Sequence, residues 1–328
     1  MASLQTEASM AVLVTGGAGF IGSHLIELLL GEGRDVVCLD VMTDYYDSRV
    51  KKANLDRLQA IRRFPFYQAD VRDEAACERA FAEERIEAVA HLAASVGVRH
   101  SVEHPEAYED VNCRGTINLL KLAVKHNVPK FVFGSTSSIY GATRQIPFRE
   151  DDPVGCPISP YAASKRAAEL FCYTYHHLFG LSVASVRFFT VYGPWGRPDM
   201  SVYKFTRLID EGKPIPVYGD GTAKRDFTYC KDIVQGVARA IDTPVNFEVF
   251  NLGESKVVEL NYVIGLIEKA LGKVAVRETL PAQAGDVPIT YADISKSRRV
   301  LGYNPQYPIE KGIRLFVEWY LNERPRFD

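Results

Sequence analysis

Residues 11–24 read AVLVTGGAGFIGSH, a short apolar run, a cluster of glycines, and the opening of the apolar-rich helical stretch IGSHLIELLLGEG. Strand, glycine turn, helix is the order that a dinucleotide pyrophosphate requires. Glycine lets the backbone approach the phosphates, and the helix N-terminus offers free N–H donors at the positive end of its dipole. Gly17, Gly19 and Gly22 satisfy GxGxxG, and Gly16, Gly19 and Gly22 satisfy GxxGxxG, with Phe20 and Ile21 between the last two glycines. Glycines alone would be an ordinary turn. Here an acidic residue, Asp40, also closes the second apolar run, DVVCLD. Its carboxylate can accept hydrogen bonds from the adenosine ribose and repels a 2′-phosphate, which favours NAD over NADP. The simpler alternative for Asp40 is a turn residue after a strand.

Working outward, FPFYQAD, AVAHLAA, KFVFGS and LSVASVRFF read as further buried strands. Between them lie helical stretches near 50–63, EAACERAFAEER, a long helix over 103–126, and 160–179. Continuously apolar strands alternating with helices predict an α/β, Rossmann-type doubly wound parallel sheet. Asp70 and Val71 follow the third strand, where they can meet adenine. Leu92, Ala93 and Ala94 end the fourth with small residues that admit a cofactor. Beyond about residue 190 proline and glycine become dense, in YGPWGRPD and EGKPIPVYGDGTAKRD, and shorter helices follow near 201–211, 231–241, 258–271 and 309–322. The expected division is a leader at 1–9, a cofactor domain at 10–190, and a smaller α/β substrate lobe at 191–328 with some exchange of chain between the lobes.

Composition limits the alternatives. The 328 residues are 47% hydrophobic and 24% charged, with a formal net charge of -2 and no long single-sign run, which argues against nucleic acid as a partner. No apolar run reaches membrane-spanning length. Residues 1–9 lack the basic start and apolar core of a signal peptide. Six scattered cysteines without CxxC or Cys/His clusters suggest neither a metal site nor a disulfide scaffold, and fit a reducing cytoplasm.

The chemistry lies in SPYAASKRAAEL. Tyr161 and Lys165 are four apart, one turn along a single helix face. A phenol titrates near ~10, and an ammonium one turn away favours its ionised form. Such a tyrosine can act as general base toward a sugar hydroxyl. The spacing also occurs on helices that carry no chemistry.

Taken in order, TGGAGFIG, ADVRD, HLAA, FGSTSSIYG, YAASK, VRFFTVYGP and RDFTY resemble the extended short-chain dehydrogenases/reductases that act on nucleotide sugars, over essentially the whole chain. TDYYD at 43–47, GVRHS at 97–101 and YGPWGRPDM at 192–200 resemble the UDP-glucuronic acid 4-epimerase branch. The resemblance implies a bound NAD, a UDP-sugar substrate and a homodimer formed through the Tyr161 helix and the helix before it. It implies that Thr136 hydrogen-bonds the reacting hydroxyl, that Tyr161 is the base, and that Lys165 holds the cofactor ribose and lowers the tyrosine pKa. Arg225 and Asp286 fall where relatives bind diphosphate and nucleotide ribose, and Tyr218 falls near the uracil site.

Ser137 and Ser138 stand where dehydratases carry Asp-Glu and where decarboxylases carry Glu at the second position. Two neutral hydroxyls there disfavour both reactions. Ser137, Ser138, Thr190 and Arg197 are the candidates for holding a uronate carboxylate, with Thr190 in place of the usual Asn of neutral-hexose epimerases. Arg99 faces sugar or cofactor, or pairs with Glu103. Two departures from the family pattern are Val41-Met42-Thr43 after the ribose aspartate and Gln283 in place of Arg. The rival readings are a UDP-glucose or UDP-N-acetylhexosamine 4-epimerase, a UDP-glucuronate decarboxylase and, from another class, a non-catalytic NAD-binding sensor.

Overall fold

The computed structural model describes residues 10–281 and 289–324. The expected leader at 1–9 lies outside them, as do Gln283 and Asp286.

Six strands of the first half are β1 (Ala11–Thr15), β2 (Asp35–Asp40), β3 (Phe66–Gln68), β4 (Ile86–His91), β5 (Lys130–Thr136) and β6 (Ser182–Phe188). Helices α1 (Phe20–Gly31), α2 (Ser48–Ile61) and α3 (Glu74–Glu83) link the first four. The strands pair in parallel in the order β3-β2-β1-β4-β5-β6, and the order reverses between β1 and β4. That switch point is where open α/β sheets bind ligands. The register aligns the carboxyl ends, since Thr15 pairs with Leu39 and with His91, and Thr136 pairs with Phe188.

Side chains alternate across the sheet. Val12 and Val14 pack on one face with Leu25, Ile26 and Leu29 of α1, while Leu13, Val37 and Val89 pack on the other with Leu119 and Leu120. Both faces of the inner strands are therefore covered, which is why they are mainly apolar, whereas β3, expected to be buried, is an edge strand left partly exposed.

The helix expected over 103–126 is instead broken. It comprises α4 (Val98–Glu103), α5 (Pro105–Glu109), a π-helical turn at Asp110–Arg114, and α6 (Gly115–Lys125). Pro105, which has no N–H to donate, begins α5 and cannot continue α4. By contrast α7 (Pro160–Phe179) runs unbroken over the expected span. Ser159 caps it by accepting from the Ala162 amide at 3.1 Å, Pro160 opens its first turn, and Gly180 ends it in the left-handed region.

The second half contains β7 (Thr190–Tyr192), α8 (Ser201–Asp210), β8 (Ile215–Tyr218), β9 (Lys224–Tyr229), α9 (Cys230–Asp242), β10 (Phe247–Leu252), β11 (Val257–Glu259), α10 (Leu260–Leu271), β12 (Arg277–Leu280), α11 (Ser295–Leu301) and α12 (Ile309–Asn322). β7, β9 and β11 form a small sheet, and β8 pairs with β12. α9 returns to pack on α1, and β10 adds a seventh strand to the main sheet beside β6. All six cysteines are unpaired, and only Cys156 is exposed. Among the described residues no helix is long and apolar enough to cross a membrane.

Candidate active site

The cradle at the end of β1 is built by close backbone approach. Gly16 has a φ of 68°, and a Cβ there would lie 2.8 Å from the Ala93 amide nitrogen. A Cβ on Gly22 would lie 2.1 Å from the Gly16 carbonyl. Among the described residues no side chain caps α1, which leaves its first amides, from Phe20 to Gly22, to donate to a pyrophosphate. Asp40 is buried at the end of β2. Its carboxylate accepts from the Ala18 amide at 3.2 Å, the Met42 amide at 2.8 Å and the Lys51 ammonium at 3.2 Å. An ionised carboxylate has about four acceptor sites, so one remains for a ribose hydroxyl. Glycine cradle, uncapped helix and ribose carboxylate together fit a dinucleotide. Asp70 sits farther along the same edge, where Arg72 grips its carboxylate through Nε and Nη2 and holds it below the usual range. Val71 is buried beside it, against Gly115.

Leu92, Ala93 and Ala94 leave β4 at the switch point. Leu92 donates to the Thr15 carbonyl, and Ala93 to the Thr15 hydroxyl. That hydroxyl lies 2.8 Å from Nδ1 of the buried His91, whose Nε2 lies 3.0 Å from the Thr116 hydroxyl. Thr116 donates to the Asn112 carbonyl, so its oxygen accepts from His91, which places a proton on Nε2 and, in the neutral ring, leaves Nδ1 to accept from Thr15. Burial and the nearby Lys165 hold its pKa down at about 3, in agreement. Asn112, inside the π-turn, accepts from the Ser95 amide and donates to Ser164. Ser164 in turn donates to the Tyr161 carbonyl. A hydrogen-bonded chain thus ties the β4 loop to the helix bearing Tyr161. Sequence reasoning missed His91, Asn112 and Ser164; a histidine inside an otherwise apolar strand was the available signal.

Thr136 ends β5, and Tyr161 and Lys165 share a face of α7. The Thr136 hydroxyl is close enough to the Tyr161 phenol to lower its pKa. Lys165 is buried, with its ammonium 2.7 Å from the Gly134 carbonyl and 4.7 Å from the Phe133 ring centre. The expected lowering of Tyr161 by Lys165 is not found. Burial pushes the phenol up, and Thr136 and then Arg197 pull it back. The reason is geometric, because Lys165 is directed at β5 and not at the phenol oxygen.

Burial also brings Lys165 down to about 8, from an ordinary value of 10.5. Between those values the unfolded chain carries a proton that the folded chain lacks, so this group's contribution to stability rises with pH across the window. Wild type should therefore gain stability over Lys165→Met as pH rises through it. Urea melts of nucleotide-stripped protein at both ends of the window test this; a wild-type-minus-variant difference that stays flat would contradict it.

Ser137 and Ser138 begin a short 3₁₀ turn capped by Thr136, and the Thr136 hydroxyl lies 3.2 Å from that of Ser138. Thr190 opens β7 opposite Phe227. Arg197, in the loop after β7, pairs with Asp199 and is close enough to Tyr161 to depress its pKa. Arg99 lies over the Tyr218 ring, 4.7 Å from its centre, which brings the α4 and β8 candidates together. Arg225 stands on β9 and donates to the Lys224 carbonyl at 2.9 Å.

Residues 12–253 match the family described as NAD dependent epimerase/dehydratase. The chain belongs to that family. Among relatives of this epimerase/dehydratase, the UDP-glucuronate 4-epimerase of Thermodesulfobacterium geofontis is 47% identical over 308 residues, covering 94% of this chain and 95% of that protein. The Bacillus cereus UDP-glucuronic acid 4-epimerase, solved with UDP-glucuronic acid and NAD, superposes with a TM-score of 0.88 at 35% identity, covering 94% of this chain and 98% of that one. The Thermotoga maritima UDP-glucose 4-epimerase, solved with UDP-glucose, gives the same TM-score of 0.88 at 33% identity, covering 95% of this chain and 99% of that one. Equal superposition on a uronate and a neutral-sugar enzyme means that the fold does not choose the substrate of this family member.

Proposed function

We propose that this chain is a UDP-glucuronate 4-epimerase, interconverting UDP-glucuronate and UDP-galacturonate through a 4-keto intermediate without loss of CO₂. The observation that carries the reading is Arg197, a cation in the same pocket as the Tyr161–Thr136 pair. The identity to the T. geofontis enzyme supports it. The glycine cradle and Asp40 would hold NAD, which would supply the acceptor for the C4 hydride. Tyr161 removes the C4 hydroxyl proton and gives it back, Thr136 orients that hydroxyl, and Lys165 sits beneath, against β5. The division is a cofactor domain at 10–190 and a substrate lobe at 191–328 with exchange of chain between them: α9 and β10 return to the first, and Thr136, Ser137, Ser138, Tyr161 and Thr190 of the first reach the substrate.

A uronate oxidised at C4 is a β-keto acid and loses CO₂ when its carboxylate stands perpendicular to the ring. Ser137, Ser138, Thr190 and Arg197 hold the carboxylate out of that geometry, the arginine through a charge-assisted contact. Neutral hydroxyls at Ser137 and Ser138 leave no acid for elimination. Exposed Leu170, Phe171, Leu178 and Phe179 on α7 support a homodimer through that helix, and six unpaired cysteines support a cytoplasmic location.

The test is to incubate purified protein with UDP-glucuronate, and separately with UDP-glucose, and resolve the products. UDP-galacturonate without CO₂ is expected. UDP-xylose or a 4-keto pentose would indicate a decarboxylase, and an unchanged sugar nucleotide a non-catalytic NAD binder. Arg197→Ala should lower turnover of UDP-glucuronate and release CO₂; a variant as active and as clean as wild type would refute the carboxylate assignment.

A further inference from the structure

TDYYD, which marked the branch in the sequence, has no part in the reaction described above, yet Tyr45 from this segment reaches the site. The Arg197 guanidinium lies over the Tyr45 ring, 5.4 Å from its centre. The His100 ring packs edge-on against Tyr45 with centres 5.7 Å apart. Gly97 leaves room for the phenol: its φ is 106°, and a Cβ there would come within 2.9 Å of the Tyr45 oxygen. From the other side Asp199 takes Nε of Arg197 at 3.0 Å and also Nη2. No hydrogen-bond partner for Nη1 is found among the described residues. Three loops, after β2, β4 and β7, therefore converge on one guanidinium. One face and one edge are fixed, and the Nη1 corner is left to donate.

We propose that Tyr45 and Asp199 are positioning residues for substrate choice: they lock the Arg197 guanidinium so that its remaining donors meet the uronate carboxylate at a fixed angle. The inference rests on the uronate reading above. Magnitudes favour this role over a structural one. Asp199 is 49% exposed and Tyr45 42% exposed. Arg197 is 17% exposed, but an ion pair whose acid is this open to water adds little to folding. What it does supply is direction, because a long arginine side chain has several rotamers and a bidentate carboxylate selects one.

The experiment uses the NAD-loaded enzyme and compares Asp199→Asn, Tyr45→Leu and Tyr45→Phe. Asp199→Asn should raise the KM for UDP-glucuronate about tenfold. Loss of the cation–π contact in Tyr45→Leu should raise it about threefold, and Tyr45→Phe, which keeps the ring, should restore most of that. CO₂ release per turnover should increase in Asp199→Asn and Tyr45→Leu. UDP-glucose affinity, measured by equilibrium titration, should not move. The proposal is overturned if Asp199→Asn and Tyr45→Leu match wild type on UDP-glucuronate, or if both sugar nucleotides weaken equally. Failure of the uronate reading itself looks different, since Arg197→Ala would then also leave UDP-glucuronate turnover intact.

Discussion

Tyr161→Phe should reduce kcat on UDP-glucuronate by about 10²–10⁴-fold, the usual contribution of a positioned general base, with KM nearly unchanged. The variant removes one oxygen and little else. The ring keeps its edge-to-face contact with Tyr108, at a centroid distance of 6.1 Å, and α7 keeps its cap at Ser159. The Thr136 hydroxyl keeps its hydrogen bond to Ser138 at 3.2 Å. Substrate can therefore bind while its C4 proton has no acceptor. Steady-state kinetics with product analysis check this, and a variant keeping more than about a tenth of wild-type kcat would remove Tyr161 from the role of base.

A second large effect is expected on stability. Glu169 lies one turn beyond Lys165 on α7 and is buried, as is Arg187 on β6. Two hydrogen bonds of 3.0 Å join their forked ends. Arg187 also donates to the Tyr140 hydroxyl at 2.9 Å, which donates to Asn251 on β10 at 2.7 Å. Removing one partner of a buried pair can cost about 3–5 kcal/mol, and here Arg187→Met costs less than that ceiling because Glu169 keeps Arg166 at 2.9 Å and Ser185 at 3.2 Å. Arg187→Met should therefore melt well below wild type. The double variant Arg187→Met/Glu169→Gln should recover part of the loss, because no lone charge stays buried. Thermal unfolding of the four proteins in this cycle measures it; a double variant no better than Arg187→Met would mean that lost packing, and not stranded charge, dominates.

The ease of reading this sequence followed the range of the interactions. The sheet was legible because each of its first six strands is an apolar run bounded by a turn, and AVLVTGGAGFIG carries both cradle and helix start within a dozen residues. Tyr161, Lys165 and Thr136 were legible for the same reason, as each sits in a contiguous motif. The short strands β7, β8, β9, β11 and β12, of three to six residues in proline- and glycine-rich sequence, carry too little periodicity to be seen. The break at Pro105 lies within an apolar pattern that continues on both sides of it, so the pattern alone gives one helix. The meeting of Tyr45, Gly97 and Arg197 was invisible, since those residues are brought together only by the shared carboxyl edge of the sheet. So was the direction of Lys165, because helical spacing gives the face of a residue but not where a flexible side chain ends.

The return of β10 to the main sheet has a consequence for how the protein can be made. Residues 247–252 pair with 183–188, so β6 remains an open edge until the ribosome has delivered some sixty further residues. A cofactor-binding fragment ended near residue 190 would keep its glycine cradle and Tyr161 but present unpaired β6 amides and carbonyls to its neighbours, a template for strand-on-strand association. The last strand of the main sheet is thus supplied from beyond residue 190, and a fragment cut there should associate through its β6 edge.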